Sequence, residues 1–404
     1  MTTRVIANIG ELTTNDPTLG EGVTGRLLDA AMVIDDDVVL WVGANANAPS
    51  ADEMIDARGG AVIPGFVDSH THLVFAGERS DEFEARMNGN PYDGGGIART
   101  VDATRAASSD VLGRTTNQRF SELRAGGVTT VEIKSGYALT VEGESRLLDI
   151  ANIFSDEVTF LGAHVVPKEF ANDRGAYVDL VRGPMLDLCA RQSKWADVFC
   201  DRGAFDVDES RAILSSAKYV GLGLRVHGNQ LGETGGVALA VEMDAASVDH
   251  CTYLSDDDIE RLAASATVAT ILPGADFSTR APYSSARRLR DAGALVALAT
   301  DCNPGTSYVT SMAFVLAIAV RDMHMDFDDA LWSATRGGAI ALRRDDIGHL
   351  RVGAKADVVI LDAPRAVHLA YRPGASMVRQ VIVPPGGWKP TGWFSRGGGR
   401  ISDA

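Results

Sequence analysis

The sequence predicts an α/β protein in which a (β/α)8 barrel carries a small β-sandwich domain built from both ends of the chain. Three observations favour this fold. Eight short apolar segments recur through the middle of the chain with helical segments between them, polar residues follow many of these segments, and both ends instead show short strand patterns with turns. Eight strands that alternate with helices favour a closed parallel barrel over an open sheet.

The predicted barrel strands are short and apolar, which is typical of strands that are buried on both faces. In chain order they cover residues 62–67, 128–133, 158–163, 196–200, 222–226, 246–249, 268–272 and 295–300. Helices are predicted between several of them, including residues 210–219, 256–264 and 283–292.

The two ends of the chain do not follow this alternation. Residues 33–42 and 353–362 combine turn residues with the alternation of apolar and polar residues that is typical of strands. We therefore expect one small domain from residues 1–63 and 346–404, and a barrel domain from residues 64–345. The two ends would then meet in space.

The composition argues against some classes of binding partner. The chain has 404 residues, with 38 Lys and Arg against 54 Asp and Glu, so its formal net charge is −16. This charge would repel a phosphate backbone, and we expect no nucleic-acid partner. No apolar segment approaches the length of a membrane span, so we expect no membrane partner and a cytoplasmic location. An anionic substrate would need a local cation in the site.

Two histidines separated by one residue, His70 and His72, directly follow the first predicted barrel strand. Side chains two residues apart on a strand point to the same face, so both imidazoles can reach one point. Imidazole is a common ligand for zinc and iron. Such a pair alone is weak evidence, and further ligands have to come from other strands.

Polar side chains at the ends of later strands supply these ligands. The carboxyl ends of the strands of a (β/α)8 barrel form the rim of the active site. The polar residues at this rim are Asp68, His70, His72, His164, His227, His250 and Asp301. Three histidines and one carboxylate suit one zinc or iron ion and leave a position for water, which predicts hydrolysis of a C–N bond. Asp301 could accept the proton of that water, and His250 could hydrogen-bond the water or the developing oxyanion.

The order of His70, His72, His227, His250 and Asp301 along the chain resembles that of the site residues in the amidohydrolase superfamily. The motifs around them are similar to those of its imidazolonepropionase family. The matching stretches are residues 64–79, 132–137, 160–167, 227–230 and 300–306. The resemblance implies hydrolysis of the cyclic amide of 4-imidazolone-5-propanoate, an anionic small molecule, to N-formimidoyl-L-glutamate in histidine degradation. It also implies one divalent or trivalent metal ion in each subunit, zinc or iron.

The resemblance assigns roles residue by residue. It implies metal ligands at His70, His72, His227 and Asp301 and catalytic roles for His250 and Asp301. It implies substrate contacts at Arg79, Tyr137, His164, Gln230, Asn303, Gly305 and Thr306. Arg79 suits the propionate as the local cation, because a guanidinium binds a carboxylate through two parallel hydrogen bonds.

Three questions stay open at the level of sequence. Many members of the family have a glutamate where this chain has Gln230, whose amide can hydrogen-bond the substrate ring but cannot exchange a proton. Some amidohydrolases bridge two metal ions with a carboxylated lysine from strand four, but Lys134 ends strand two here, which favours one ion. The assembly is also open, with a homodimer as the commonest state.

Three other functions are compatible with parts of this pattern. Another cyclic amidase or a purine or pyrimidine deaminase would use the same metal ligands, but a deaminase does not need Arg79 and Tyr137 in the pocket. A binding protein that had lost the chemistry should lack ligands, and all four are present.

Overall fold

The computed structural model describes residues 2–89 and 96–384, and in this part of the chain the strands form two separate sheets. The strands are β1 (Arg4–Thr13), β2 (Arg26–Ile34), β3 (Val39–Ala44), β4 (Glu53–Asp56), β5 (Ala61–Pro64), β6 (Phe66–Asp68), β7 (Val128–Lys134), β8 (Glu157–Ala163), β9 (Trp195–Cys200), β10 (Gly223–Gly228), β11 (Ser247–His250), β12 (Val268–Ile271), β13 (Val296–Leu298), β14 (Val358–Leu361) and β15 (Val378–Ile382).

The first sheet is mixed and takes strands from both ends of the chain. Its order is β15-β14-β5-β1-β2-β3, and β4 pairs with β1. It has its own apolar core, in which Ile6, Leu12, Met32 and Val358 are fully buried. The prediction of a second β unit built from both ends is confirmed, and its strands belong to one hydrogen-bonded sheet. The domain limits stay a prediction, and residues 385–404 of the expected small domain lie outside the described residues.

The second sheet is the barrel, and it contains β6 to β13 as parallel neighbours in chain order. The loops that follow its first and last strands close it: Asp301 N donates to His70 O at 3.0 Å and His72 N donates to Cys302 O at 3.0 Å. The predicted (β/α)8 barrel is confirmed. The same two hydrogen bonds bring residues from the two ends of the barrel sequence side by side at the rim.

The predicted first strand, residues 62–67, is divided between the two sheets. β5 pairs with β1 and β14 in the mixed sheet, whereas β6 pairs with β7 in the barrel. The chain passes from one sheet to the other at Gly65, where a Cβ atom would lie only 2.1 Å from Thr129 Oγ1. Only glycine allows this close approach of the two chain segments, so an apolar run that reads as one strand serves two sheets.

The described helices lie mostly between successive barrel strands in the chain. They are α1 (Ser80–Met87), α2 (Ile97–Ala106), α3 (Ser109–Ala125), α4 (Val141–Phe154), α5 (Arg174–Leu180), α6 (Leu186–Cys189), α7 (Val207–Tyr219), α8 (Gly236–Glu242), α9 (Asp256–Ala263), α10 (Pro273–Thr279), α11 (Ala286–Asp291), α12 (Met312–Arg321), α13 (Phe327–Trp332), α14 (Gly338–Ala341) and α15 (His368–Tyr371). Helices α12 to α14 follow the last barrel strand, and α15 lies between β14 and β15. Among the described residues, none of these helices has the length and apolar character needed to cross a membrane.

Candidate metal centre and substrate cavity

Four side chains from three strand ends converge at the rim of the barrel. His70 and His72 follow β6, His227 lies in β10 and Asp301 follows β13. Asp301 Oδ1 lies 3.4 Å from His70 Nε2 and 3.6 Å from His72 Nε2, and His72 Nε2 lies 3.3 Å from His227 Nε2. All four side chains are buried. The structure thus brings together the four ligands that the sequence predicts.

The spacing of these atoms fits a metal ion. Ligand atoms of one zinc ion, each about 2.1 Å from it, lie about 3.4 Å apart at the tetrahedral angle, and the three distances are close to that value. Among the described residues, two groups that contain His70 have ligand atoms that all lie within 4.8 Å of one another, His70 with His72 and Asp301 and His70 with His227 and His250. His70 Nε2 and Asp301 Oδ1 are buried without a hydrogen-bond partner. Buried polar atoms of this kind are costly unless something binds them. The site therefore suits a metal ion with nitrogen and oxygen ligands.

The far side of two of the imidazoles is held by carboxylates. His70 Nδ1 lies 2.7 Å from Asp249 Oδ2, and His227 Nδ1 lies 3.0 Å from Asp197 Oδ2. At His70, where Asp249 accepts the Nδ1 proton, the Nε2 lone pair is left for the ion and the direction of the ring is fixed. His227 and Asp197 are in close contact, but neither His227 Nδ1 nor Asp197 Oδ2 has a hydrogen-bond partner among the described residues. Asp197 and Asp249 are therefore part of the centre although neither was predicted as a site residue.

His250 lies beside the ligands and ends β11. One of its ring nitrogens lies within 4.8 Å of ring nitrogens of His70 and His227. His250 and Asp301 both have left-handed backbone angles, with φ of 79° and 52°. Such angles are unfavourable for residues other than glycine and are concentrated at functional sites. Here they occur at strand ends that place side chains on the rim.

Burial controls the protonation of the centre. It lowers the pKa of His70, His72 and His250 well below the usual value, with further lowering from the neighbouring imidazoles, so these rings are neutral near pH 7. Burial also raises the pKa of Asp301 well above its usual value. Neutral imidazoles are the form that binds a metal ion, and a bound cation would favour the ionised form of Asp301.

A small cavity of about 30 Å³ lies next to the four predicted ligands. Its lining contains every substrate contact that the resemblance implies, together with His72, His227, His250 and Asp301. The remaining lining residues are Ile97 and Phe199, which the sequence analysis did not single out. The cavity thus adjoins the metal centre and is lined by both polar and apolar side chains.

Arg79 is buried at the edge of this cavity, and a carboxylate already neutralises it in part. Its Nε and Nη2 atoms donate to Glu82 Oε2 at 3.0 and 2.6 Å. Its Nη1 atom lies against the backbone of Gly305, where a Cβ atom would be only 2.3 Å away. The guanidinium can therefore serve as the expected local cation, and Glu82 is its carboxylate partner within the protein.

His164 and Tyr137 form the aromatic side of the cavity. His164 Nδ1 lies 2.9 Å from Gly136 O and donates to it, so Nε2 is the nitrogen without a proton. Burial lowers the pKa of His164 to about 3, which keeps the ring neutral. Its ring stacks on that of His72 with a centroid distance of 5.4 Å. His164 can thus accept a hydrogen bond from a substrate N–H group.

Asn303 orders the loop that follows β13. Its Nδ2 atom donates to Asp301 O at 2.7 Å and to Thr306 Oγ1 at 2.9 Å. Its Oδ1 atom accepts from the backbone N–H groups of Gly305 and Thr306, both at 2.8 Å. Thr306 Oγ1 lies 3.3 Å from Asp301 Oδ2. The Asn303 amide therefore holds Asp301 and Thr306 in place. Its contact with the substrate stays a prediction.

Gln230 reaches the cavity from the loop that follows β10. Asp201, for which the sequence suggested no role, accepts the backbone N–H groups of Gln230 and Leu231 at 2.7 and 3.0 Å. Gln230 also borders an outer cavity of about 680 Å³ whose lining includes Arg202 and Arg280. The Gln230 side chain thus stands between the inner cavity and this larger space.

A layer of charged side chains lies beneath the ligands inside the barrel, and most of its members were not predicted from the sequence. Its members are Glu132, Lys134, Asp197, Arg225 and Asp249, all buried. Each is a charged residue within an apolar strand, and Glu132 with Lys134 follows the two-residue spacing of one strand face. That pattern was visible in the sequence and could have marked these residues.

Comparison with known proteins places the chain in a family. Residues 61–400 match the model of the Amidohydrolase family. The chain belongs to the amidohydrolase family. Among solved structures it is similar to a glutamate-to-glutamine mutant of an atrazine chlorohydrolase from Arthrobacter aurescens in complex with zinc and atraton, with a TM-score of 0.71 and 19% identity over 94% of both chains. It is also similar to an adenosine deaminase from Xanthomonas campestris with bound zinc, with a TM-score of 0.68 and 18% identity over 94% of this chain and 91% of the other. At these identities the likeness supports the fold alone.

Relatives of higher identity show to which group within the amidohydrolase family the chain belongs. An imidazolonepropionase from Mycolicibacterium smegmatis is 59% identical over 95% of this chain and 96% of its own length. Imidazolonepropionases from Streptomyces griseus and Salinispora tropica are 57% and 58% identical over 94% and 95% of this chain and 98% of their own lengths. Within the amidohydrolases, the chain is a member of the imidazolonepropionase family.

Proposed function

We propose that this chain hydrolyses the ring amide of 4-imidazolone-5-propanoate and releases N-formimidoyl-L-glutamate. One observation carries the proposal: a cluster of metal-ligating atoms and a buried arginine face the same small cavity. The first suits hydrolysis of a C–N bond, and the second suits a substrate with a carboxylate tail. Relatives with the corresponding name, at 57–59% identity over nearly the whole chain, support the same activity.

We propose His70, His72, His227 and Asp301 as the ligands of a single ion, either zinc or iron. When bound, this ion supplies Lewis acidity, which makes a water molecule more acidic and polarises the ring carbonyl. By the Irving–Williams order zinc binds such ligands more tightly than iron, so iron would be found only where its supply is greater.

The residues around the ligands provide the other parts of the reaction. Asp301 accepts a proton from the attacking water and later delivers it to the ring nitrogen as the C–N bond breaks. His250, which is neutral, hydrogen-bonds the carbonyl oxygen as negative charge develops on it. Arg79 binds the propionate, and the Gln230 amide hydrogen-bonds the ring without exchanging a proton.

The direct test is turnover by the purified protein after it is loaded with zinc or with iron(II) under anaerobic conditions. The absorbance of 4-imidazolone-5-propanoate should fall, and mass spectrometry should detect a product heavier by one water molecule. Dihydropyrimidines and amino-substituted purines, assayed in parallel, represent the other cyclic amidases and the deaminases. Turnover of either alternative without turnover of the imidazolone would reject the proposal, as would no turnover by fully loaded protein.

A further inference from the structure

The charged layer beneath the metal centre is unusual for the interior of a barrel. Side chains that fill such interiors are mostly apolar and branched. Here Lys134, Glu132, Arg225 and Asp249 are fully buried and Asp197 is nearly so. Removing an ion from water costs several kcal/mol unless partners replace the water. The cost of burying these charges suggests that the cluster holds other groups of the site in place.

Lys134 is the member of this layer that links the two carboxylates behind the ligands. Its Nζ atom lies 2.8 Å from Asp197 Oδ2 and 3.9 Å from Asp249 Oδ2. These are the same two oxygen atoms that face His227 Nδ1 at 3.0 Å and His70 Nδ1 at 2.7 Å. The Lys134 ammonium group is thus separated from each of two predicted metal ligands by a single carboxylate, from His227 by Asp197 and from His70 by Asp249.

A third carboxylate completes the surroundings of the ammonium group. Lys134 Nζ donates to Glu132 Oε1 at 2.9 Å, and the other carboxylate oxygen, Glu132 Oε2, accepts from Thr71 N at 3.1 Å. Thr71 lies between His70 and His72 in the chain. The three carboxylates around Lys134 thus connect it to His70, to His227 and to the backbone of the segment that carries both His70 and His72.

We propose that Lys134 is a positioning residue that holds the carboxylates of Asp197, Asp249 and Glu132 so that the predicted ligand imidazoles point at one metal ion. The inference rests on the proposed ligand set. The same geometry argues against a carboxylated lysine that bridges two ions, because a carbamate would place a fourth negative group among three carboxylates. Burial favours a neutral amine, but Asp197 and Glu132 outweigh it and raise the pKa of Lys134.

The test is metal affinity, measured on metal-free protein by competition with a chromophoric zinc chelator and without any substrate. Lys134→Met keeps most of the apolar stem and removes the charge. We expect it to bind zinc 10- to 100-fold more weakly than the parent protein, the range known for loss of groups that orient metal ligands. The matched control is Lys194→Met, because Lys194 Nζ pairs with Glu157 Oε1 at 2.8 Å outside the site. Its zinc affinity should not change, and equal affinity in Lys134→Met would overturn the proposal.

A double-mutant cycle distinguishes positioning of the carboxylates by Lys134 from a general disturbance of the fold. Because Lys134 acts partly through Asp197, the loss of zinc affinity that Lys134→Met adds to Asp197→Asn should be smaller than the 10- to 100-fold loss expected in the parent protein. Losses that multiply would overturn the proposal. Because the double variant loses a positive and a negative charge together, it serves for the comparison if Lys134→Met does not fold.

The same measurements distinguish this inference from the proposed function. His227→Ala should also lose zinc affinity, and if it does not, the proposed ligand set fails first. Tight zinc binding that depends on Lys134 but gives no turnover of the imidazolone would reject the proposed function and leave the positioning role intact.

Discussion

Arg79 differs from an ordinary surface arginine in two respects: it is buried, and its guanidinium faces the cavity next to the metal centre. A buried arginine that binds a carboxylate contributes about 1.5–3 kcal/mol through its charged hydrogen bonds. We therefore expect Arg79→Ala to raise KM for the imidazolone about 10- to 100-fold, with a smaller effect on kcat, in steady-state kinetics.

The control for this variant is Arg261→Ala. Arg261 is half-exposed and pairs with Asp257 at 2.7 Å, outside the residues that line the cavity. Its KM should stay at the parent value. An unchanged KM in Arg79→Ala would show that the propionate binds elsewhere.

For a substitution of Glu82 we expect the opposite effect on KM. It holds Arg79 through a single oxygen atom, so a substrate carboxylate has to compete with it. Glu82→Gln removes the competing negative charge and keeps the shape of the side chain. We expect a several-fold lower KM, measured in the same assay. A higher KM would mean that Glu82 orients Arg79 for substrate rather than competing with it.

At the scale of elements, the passage between the two sheets depends on Gly65. A Cβ atom there would lie 2.1 Å from Thr129 Oγ1 and 2.3 Å from Thr129 Cγ2. Crowding of this kind typically costs about 1–3 kcal/mol, so Gly65→Ala should lower the free energy of unfolding by that amount in urea titrations. Adding Thr129→Ala, which removes both atoms, should restore part of the loss.

Gly374→Ala is the matched control, since nothing lies within 4 Å of a Cβ atom at that position. Its stability should remain close to that of the parent protein. If Gly65→Ala were equally harmless, the division of the strand would not depend on the close approach at Gly65.

The sequence allowed the barrel and its rim to be predicted because both follow local rules. Apolar segments of strand length mark the strands, and the rim rule selects the polar residues at their ends, such as His227 and Asp301. The contacts of Glu132, Asp197 and Asp249 depend on the register between different strands, which local patterns do not reveal. The pairing of Arg79 with Glu82 depends on how α1 begins, and the role of Asp201 depends on a loop from another strand.

At the scale of the whole molecule, buried carboxyl groups outside the centre should make stability depend on pH. Asp276 accepts from Thr252 Oγ1 at 2.9 Å and from Ser284 N at 3.2 Å, and burial raises its pKa to about 7. The folded protein therefore holds a proton that the unfolded chain releases near pH 4. The stability that this proton contributes is complete below about pH 4 and is lost as pH rises through about 7.

We expect Asp276→Asn to remove this dependence. Measured by urea unfolding of metal-loaded protein, the free energy of unfolding of the parent should fall relative to that of the variant between about pH 4 and pH 7. Loss of metal at low pH affects both proteins alike, so the difference between them isolates Asp276. Parallel curves would contradict the assignment.

The two sheets also suggest how the molecule is divided. We propose that residues 1–63 and 346–404 form one domain and residues 64–345 the other, because β5 and β14 lie in the mixed sheet and β6 begins the barrel. The Gly65 passage lies two residues beyond the end of the first segment, since Pro64 still pairs with Val358 in the mixed sheet. The metal centre lies wholly on barrel strands and the segments that follow them.

The central claim is that one metal ion on the barrel rim carries out the hydrolysis. It is tested most directly by titrating metal-free protein with zinc while turnover of 4-imidazolone-5-propanoate is followed. We predict that activity rises in proportion to added metal and reaches its plateau at one equivalent per chain. A plateau at two equivalents, or turnover that does not depend on metal, would contradict the account.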